Sequence, residues 1–361
     1  MRRCLEGARI SSAGPFVQEF ETAWAAYCGR AHGVAMSNGS AALQAAVTAL
    51  GLEAGDEVVM PTFTIISCAT AVLSVGATPV LVDCDPRTWC MDVDQVRQRL
   101  AARTRAIMPV HIYGHPVDMD PLLELAEAHD VAVLEDAAEA HGAECLTGRA
   151  RRQPAWKRCG SFGDVSCFSF YANKIVTTGE GGMVLTDDDG LARRLRSLRN
   201  LGFDPERRFV HDEIGFNFRL TNLQAALGVA QIERVDETIA RKREVAARYT
   251  QRLGGLEGLQ LPVQEPWARS VYWMYGVVVD EKTGLDAASF SEQLSEEGVE
   301  TRPFFLGMHE QPVFRRRGLF DAESYPVAER LARQGLYLPS GTAITDAQVD
   351  AVCEAVASVL A

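Results

Sequence analysis

Three short stretches of the chain carry residues whose types and spacing could do chemistry together. The first centres on Lys174, in Phe168-Ser-Phe-Tyr-Ala-Asn-Lys174-Ile-Val-Thr-Thr-Gly-Glu-Gly-Gly182. A lysine amine performs covalent chemistry only when held near a carbonyl and kept partly unprotonated. Here it follows an aromatic, strand-like run and precedes small residues that let backbone approach a ligand closely. Most lysines are solvated surface charges, so the reading depends on its companions.

The second stretch is Ser37-Asn38-Gly39-Ser40, a small turn feeding an Ala-rich run. Its backbone amides and the positive end of the following helix make an anion site, to which Ser40 adds a hydroxyl. Taken alone it reads equally as an ordinary helix N-cap. Neither a Walker loop nor a Gly-x-Gly-x-x-Gly turn after a strand is present. The third stretch, Val131-Ala-Val-Leu-Glu135-Asp136, puts a carboxylate where an apolar strand ends. Ligands collect at the carboxyl ends of strands in open parallel sheets. A carboxylate there can pair with a protonated ring nitrogen, bind a metal or cap a helix. Glu139 and His141 follow, but no matching cluster of ligands occurs elsewhere, so no metal is expected. Lysine, strand-end carboxylate and anion turn together make the parts of a pyridoxal phosphate site, in which the carboxylate keeps the ring an electron sink. Lys174 would then also move a proton between carbons, and Ser169 could face the same phosphate as Ser40.

The elements that must position these groups alternate. Ser40–Leu50 and Ile65–Val75 read as helices; Asp56–Pro61, Thr78–Val82, Arg105–His111 and Val131–Glu135 are short apolar runs bounded by turn residues. Alternation of this kind predicts βα units and a mostly parallel sheet with helices on both faces. Leu223–Arg243 reads as one long helix leading out of this part, and 245–361 mixes a strand (Val271–Val279) with helices (Ala287–Glu297, Asp346–Leu360). The expected division is a large domain, 1–244, and a smaller α+β domain, 245–361. Thr147–Arg158 carries five basic residues in an otherwise acidic chain; it reads as a solvated hairpin or loop, or as an arm that draws in an anionic substrate or touches a second subunit.

The chain has 361 residues, 47% of them hydrophobic and 23% charged, enough for a large domain and a smaller one. Its net charge of −12 argues against nucleic-acid or anionic-membrane partners. No apolar run reaches bilayer length, and the basic start, Met1-Arg-Arg, has no apolar core behind it to make a signal peptide. Nine scattered cysteines with no Cys-x-x-Cys pair suggest neither a disulfide framework nor a zinc site. A cytoplasmic location is expected.

Read together, Ser37-Asn-Gly-Ser-Ala-Ala-Leu43, Glu135-Asp-Ala-Ala-Glu-Ala-His-Gly142, Ser161-Phe-Gly-Asp164, Phe168–Lys174, Thr177–Met183 and Gly215-Phe-Asn-Phe-Arg-Leu-Thr-Asn222 resemble the motifs of the DegT/DnrJ/StrS sugar aminotransferases, in order and spacing, over nearly the whole chain. The resemblance implies the type I, aspartate-aminotransferase fold. It implies Lys174 as the covalent anchor of pyridoxal 5′-phosphate, Asp136 as partner of the pyridine nitrogen and Glu139 beside the phenolic oxygen. Gly39, Ser40 and Ser169 would hold the phosphate. Asn217 would reach the phosphate bound by a neighbouring subunit, making a homodimer with active sites at the interface. Sugar dehydratases of this family carry histidine in place of the lysine, so Lys174 argues for amino transfer. One departure is Ile65, where many relatives have an aromatic residue over the ring; an aliphatic face or Phe63 takes its place.

Within the family, Phe168–Met183, Trp89 with Asp92, Glu300–Phe305 and Leu338–Gly341 lean toward members that aminate C4 of GDP-4-keto-6-deoxymannose, with L-glutamate as donor. A dTDP- or UDP-linked keto-sugar aminated at C3 or C4 is the alternative, and a non-catalytic cofactor-binding regulator a remoter one. Arg219 and Arg302 are candidates for nucleotide phosphates or sugar, and His309 lies in a segment expected to approach the sugar.

Overall fold

The computed structural model describes residues 1–149, 153–203, 207 and 209–361. Strands β1 (His32–Met36), β2 (Glu57–Pro61), β3 (Thr78–Val82), β4 (Thr104–Ile107) and β5 (Ala132–Asp136) are followed by a hairpin, β6 (Glu144–Thr147) and β7 (Ala155–Arg158), and then by β8 (Val165–Ser169) and β9 (Gly182–Thr186). All but the hairpin form one seven-stranded sheet in the order β1-β9-β8-β5-β4-β2-β3. Every neighbouring pair is parallel except those made by β9, which runs against both β1 and β8. Strands inside such a sheet have no wet face, which is why β2 and β9 are buried at every position.

The helix Gly39–Ala49 lies on β8 and β9; its alanines leave room for that approach, and seven of its residues are buried. The expected α/β architecture is therefore present, with a mostly parallel central sheet. The later strands are β10 (Leu259–Gln260), β11 (Ala268–Arg269), β12 (Tyr275–Val279), β13 (Arg302–Pro303) and β14 (Gly335–Leu338). β11 pairs with the β6–β7 hairpin, and the other four form an antiparallel sheet in the order β10-β12-β14-β13. A separate apolar cluster that includes Val245, Tyr249, Val277, Phe290 and Val356 forms on this sheet. No helix among the described residues is long and apolar enough to cross a membrane.

Two expectations need correction. The single helix expected over Leu223–Arg243 is two, Asn222–Ile232 and Val235–Leu253. The first packs on the helix Pro15–Cys28, the second on Asp346–Leu360. One straight helix could not serve both cores, and neither Gly nor Pro marks the break. The strand expected from Val271 begins only at Tyr275, because Tyr272 takes a left-handed φ of 46° that interrupts extended backbone.

In the basic stretch, residues 150–152 lie outside the described residues. Its flanks form the hairpin. Arg149 is paired with Asp118 and Asp120, Arg158 lies 4.1 Å from the Tyr27 ring centroid, and Arg269 covers Trp156. Those positive charges are engaged within the chain.

Candidate active site

Lys174, Asp136 and Glu139 converge on one cavity of about 600 Å³, whose far end is lined by Gly39, Ser40 and Ser169. Asp136 ends β5 and is 2% exposed. Its backbone is tied on both sides, its N–H donating to Pro109 O and its carbonyl accepting from His111 N–H, so the carboxylate is fixed where the strand stops. Glu139, three residues on, accepts from the Tyr113 N–H at 2.8 Å. Lys174 sits in the loop between β8 and β9, which Phe170 closes by donating to Gly181 O and accepting from Thr178 N–H.

The Lys174 amine lies 3.6 Å from Glu139 Oε1. Burial pushes the amine below the ordinary lysine value, against the pull of Glu139 and Asp136. Burial likewise raises both carboxyls, opposed at Glu139 first by Lys174 and at Asp136 first by the Ala138 N–H. Desolvation thus favours a neutral amine, the form a nucleophile or a general base needs.

The donor set matches pyridoxal phosphate along its length. At one end the helix Gly39–Ala49 begins, capped by the Asn38 side chain. Ser40 Oγ and Ser67 Oγ share a hydrogen bond of 2.7 Å there. A Cβ on Gly39 would come within 2.8 Å of Ser169 Cβ, so the cradle exists only because residue 39 has no side chain. That end suits a phosphate; the other, with Asp136, suits a ring nitrogen; and the amine lines the space with them. Ile65 lines the same cavity, whereas Phe63 is buried against Tyr113, Phe304 and Phe305, so an aliphatic face stands where an aromatic one was an option.

A second cavity of about 830 Å³ meets the first at Lys174, Asn173, Trp273 and Tyr337, and Arg302 and Lys242 line it. Arg302 therefore lines the cavity that Lys174 also lines, and its guanidinium is 3.3 Å from Glu300. Asn217 and Arg219 line neither cavity. Asn217 is exposed and bridged to Asn200, and Arg219 donates to the Asn200 side chain at 2.8 Å. His309 is not the loop contact expected. It is 1% exposed, with Nδ1 on Thr62 Oγ1 at 2.8 Å and Nε2 on Glu329 at 3.2 Å, so both nitrogens are occupied inside the fold. His111, Glu135 and Cys159 offer three ligand-type atoms within 4.8 Å of one another. Glu135 already accepts from His111, Gly160, Phe162 and Ser166, which makes it a structural hub.

Residues not expected from sequence complete the site. Ser67 follows β2, so the rule that ligands collect at strand ends could have found it. Tyr337 arrives from β14 and Trp273 from the segment just ahead of β12, and neither carries a local signal. The Trp273 indole donates at 2.9 Å to the Asn173 carbonyl, a hundred residues earlier.

Comparison with known proteins places this geometry in context. Residues 1–357 match the DegT/DnrJ/EryC1/StrS aminotransferase family. The chain is 44% identical to a GDP-perosamine synthase of Caulobacter vibrioides, covering 99% of this chain and 93% of that protein. It is 38% identical to one of Escherichia coli O157:H7, with the same coverage of each. Among solved structures, S. venezuelae DesV superposes with a TM-score of 0.91 at 36% identity, covering 99% of this chain and 92% of that one.

Proposed function

The chain belongs to the DegT/DnrJ/EryC1/StrS family of pyridoxal phosphate-dependent aminotransferases, and from that premise we propose that it moves the amino group of L-glutamate to C4 of GDP-4-keto-6-deoxymannose. Glutamate leaves as 2-oxoglutarate and the product is GDP-perosamine. When bound, pyridoxal phosphate supplies a conjugated ring that takes up the electron pair released as a proton leaves carbon.

The chain's own residues have separable roles. Lys174 Nζ would hold the cofactor covalently and, as a free amine, would take a proton from the donor's amine-bearing carbon and deliver one to C4 of the acceptor. Asp136 would pair with the ring nitrogen and favour its protonated form. Glu139, 3.6 Å from the amine, would orient Lys174 and lie toward the phenolic oxygen. Gly39, Ser40, Ser67 and Ser169 would hold the phosphate, and Trp273 would keep water from the amine. Arg302, which lines the second cavity together with Lys174, is the better placed of the two arginines for an anionic substrate. Asn217, exposed and outside this chain's own cavity, supports a homodimer in which it completes the neighbour's phosphate site. Ile214 is 90% exposed in the same segment, which fits burial against a second copy.

The observation that carries the reaction type is the convergence of Lys174, Asp136 and Glu139 on a cavity closed by the Gly39–Ser40 cradle. The acceptor rests on the likeness to the two synthases. Mass spectrometry of a reaction holding the enzyme, pyridoxal phosphate, L-glutamate and GDP-4-keto-6-deoxymannose tests both. An aminated GDP-sugar absent with Lys174→Ala is expected. Conversion of the cofactor to its amine form by glutamate without an aminated GDP-sugar would retain the aminotransferase and discard the acceptor.

A further inference from the structure

The segment after β2 places Ser67 in the lining of the cofactor cavity and Cys68 outside that lining, against Asp136. Ser67 bonds to Ser40 at the phosphate end. Cys68, next in the chain and in the first turn of the helix Ser67–Ser74, turns the other way. Its side chain has no solvent exposure, and its Sγ lies 3.1 Å from Asp136 Oδ2 and 3.5 Å from Thr64 Oγ1. The other carboxylate oxygen, Oδ1, accepts from the Ala138 N–H at 3.0 Å. Asp136 is thus held by one main-chain donor and one thiol.

We infer that Cys68 is a positioning residue for the transamination, its thiol fixing the direction of the Asp136 carboxylate and keeping it ionised toward the ring nitrogen. The inference rests on the role given to Asp136 above. A carboxylate has about four lone-pair sites, so the two bonds leave acceptor capacity for the cofactor. Burial drives a carboxyl toward its neutral form, and a neutral Asp136 could not keep a ring nitrogen protonated. Donors to the charged form oppose that drift, and there are two. The remaining ionisable groups facing Asp136 are Lys174 and Glu139 from the cavity, His111 from beyond β4 and Cys167 from β8. His111 Nδ1 accepts from the Val117 N–H, which leaves Lys174 as the group among them that can supply positive charge.

Burial, reinforced by the Asp136 charge, lifts the Cys68 thiol well above its ordinary value. It therefore remains S–H and donates. Cysteine also suits the place sterically, being a small, apolar side chain that tolerates complete burial while keeping a weak donor. A weak donor restrains the carboxylate without consuming the basicity the ring nitrogen requires.

Three holoenzymes test this: Cys68→Ala, which removes the donor; Cys68→Val, which fills the space without donating; and Cys68→Ser, which restores a donor. Each is compared for pyridoxal phosphate affinity of the apoprotein, pH midpoint of the cofactor's visible absorbance, and kcat against KM for glutamate. Loss of a hydrogen bond to a charged group predicts about tenfold weaker cofactor binding and about tenfold lower kcat in Ala and Val alike, with KM within about twofold. The absorbance midpoint should move in both, and Ser should return all readings to within about threefold of the parent. Wild-type affinity and midpoint in Ala or Val, or a Ser variant no better than Ala, would overturn the inference. Asp136→Asn separates the two levels: full activity there removes the role of Asp136 itself, whereas an inactive Asp136→Asn beside a normal Cys68→Ala removes only the role of Cys68.

Discussion

The Lys174 amine stands 3.5 Å from the centroid of the Trp273 ring. The same indole donates to the carbonyl of Asn173, so one side chain from the second part of the fold touches the lysine's amine and steadies its backbone. Burial and ring act in opposite senses, since desolvation favours the neutral amine while a ring face favours the cation. Trp273→Phe keeps a ring face and loses the N–H. The hydrogen bond lost is worth about 0.5–1.5 kcal/mol, so kcat should fall roughly 2- to 13-fold. Trp273→Ala loses ring and bond together and opens the site to water; its kcat should fall below that of the Phe variant. Equal rates for the two variants would remove Trp273 from any role at the amine.

The cradle makes a second prediction. In Gly39→Ala the new Cβ would meet Ser169 Cβ at 2.8 Å and Ser169 Cα at 3.3 Å, both held by strand β8. Overpacking of this kind costs about 1–3 kcal/mol, so the apoprotein should lose stability by about that amount unless Ser169 shifts. A displaced Ser169 hydroxyl no longer meets the phosphate, and loss of one hydrogen bond to a charged group predicts pyridoxal phosphate affinity lower by about tenfold or more. Equilibrium dialysis of the cofactor measures it, and unchanged affinity would place the phosphate elsewhere.

The parts of the fold legible in sequence are those where local pattern and burial agree. Helix and strand alternate through the first half, and Asp136 and Lys174 belong to contiguous runs whose residue types already indicate a ligand. What stayed hidden depends on distance along the chain. Trp273 reaches Lys174 only because Tyr272 adopts a left-handed φ that bends the chain ahead of β12, and sequence gives no warning of it. The break at Glu233–Arg234 was invisible because each half satisfies helical periodicity while facing a different core. His309, expected to approach the sugar, has both ring nitrogens engaged by Thr62 and Glu329, partners 247 and 20 residues away that no local pattern reveals.

His141 should govern behaviour in acid. It is wedged among Trp24, Phe168 and Phe170 at ring distances of 5.3–5.5 Å, and neither nitrogen makes a side-chain hydrogen bond. Burial holds its pKa down to about 3, against about 6.5 in the unfolded chain. Between those values the unfolded state binds the extra proton, so stability falls as pH drops through this window. At pH 5 the loss is about 2 kcal/mol from this residue alone. His141→Leu should therefore tolerate acid better than the parent, seen as a lower pH midpoint of acid unfolding. An identical midpoint would contradict the buried neutral ring.

Lys242 should act at the alkaline side. It is 6% exposed and donates to Ser340 O at 2.5 Å, with no carboxylate partner among the described residues. Burial brings its amine down to about 7, from about 10.4 in the unfolded chain. Between these values the unfolded state again holds more protons, so stability rises with pH. From pH 7 to 9 the gain should be on the order of 2 kcal/mol, and Lys242→Met should lack it. Urea unfolding at the two pH values provides the comparison; a parent that shows no rise would mean the amine remains charged.

Strand β1 leads into the Ser37–Ser40 turn, yet its one neighbour in the sheet is β9, and Asn38 O packs where a Cβ on Gly182 would lie 2.3 Å away. The turn is among the first parts of the protein to be synthesised, and its support is made only after the ribosome has passed residue 186, beyond the midpoint of the chain. A nascent polypeptide interrupted between Lys174 and that point would carry the reactive amine and the Ser37–Ser40 turn without the strand that supports that turn. Cofactor loading therefore belongs to the late or finished chain, and every newly made molecule must pass through an apo stage.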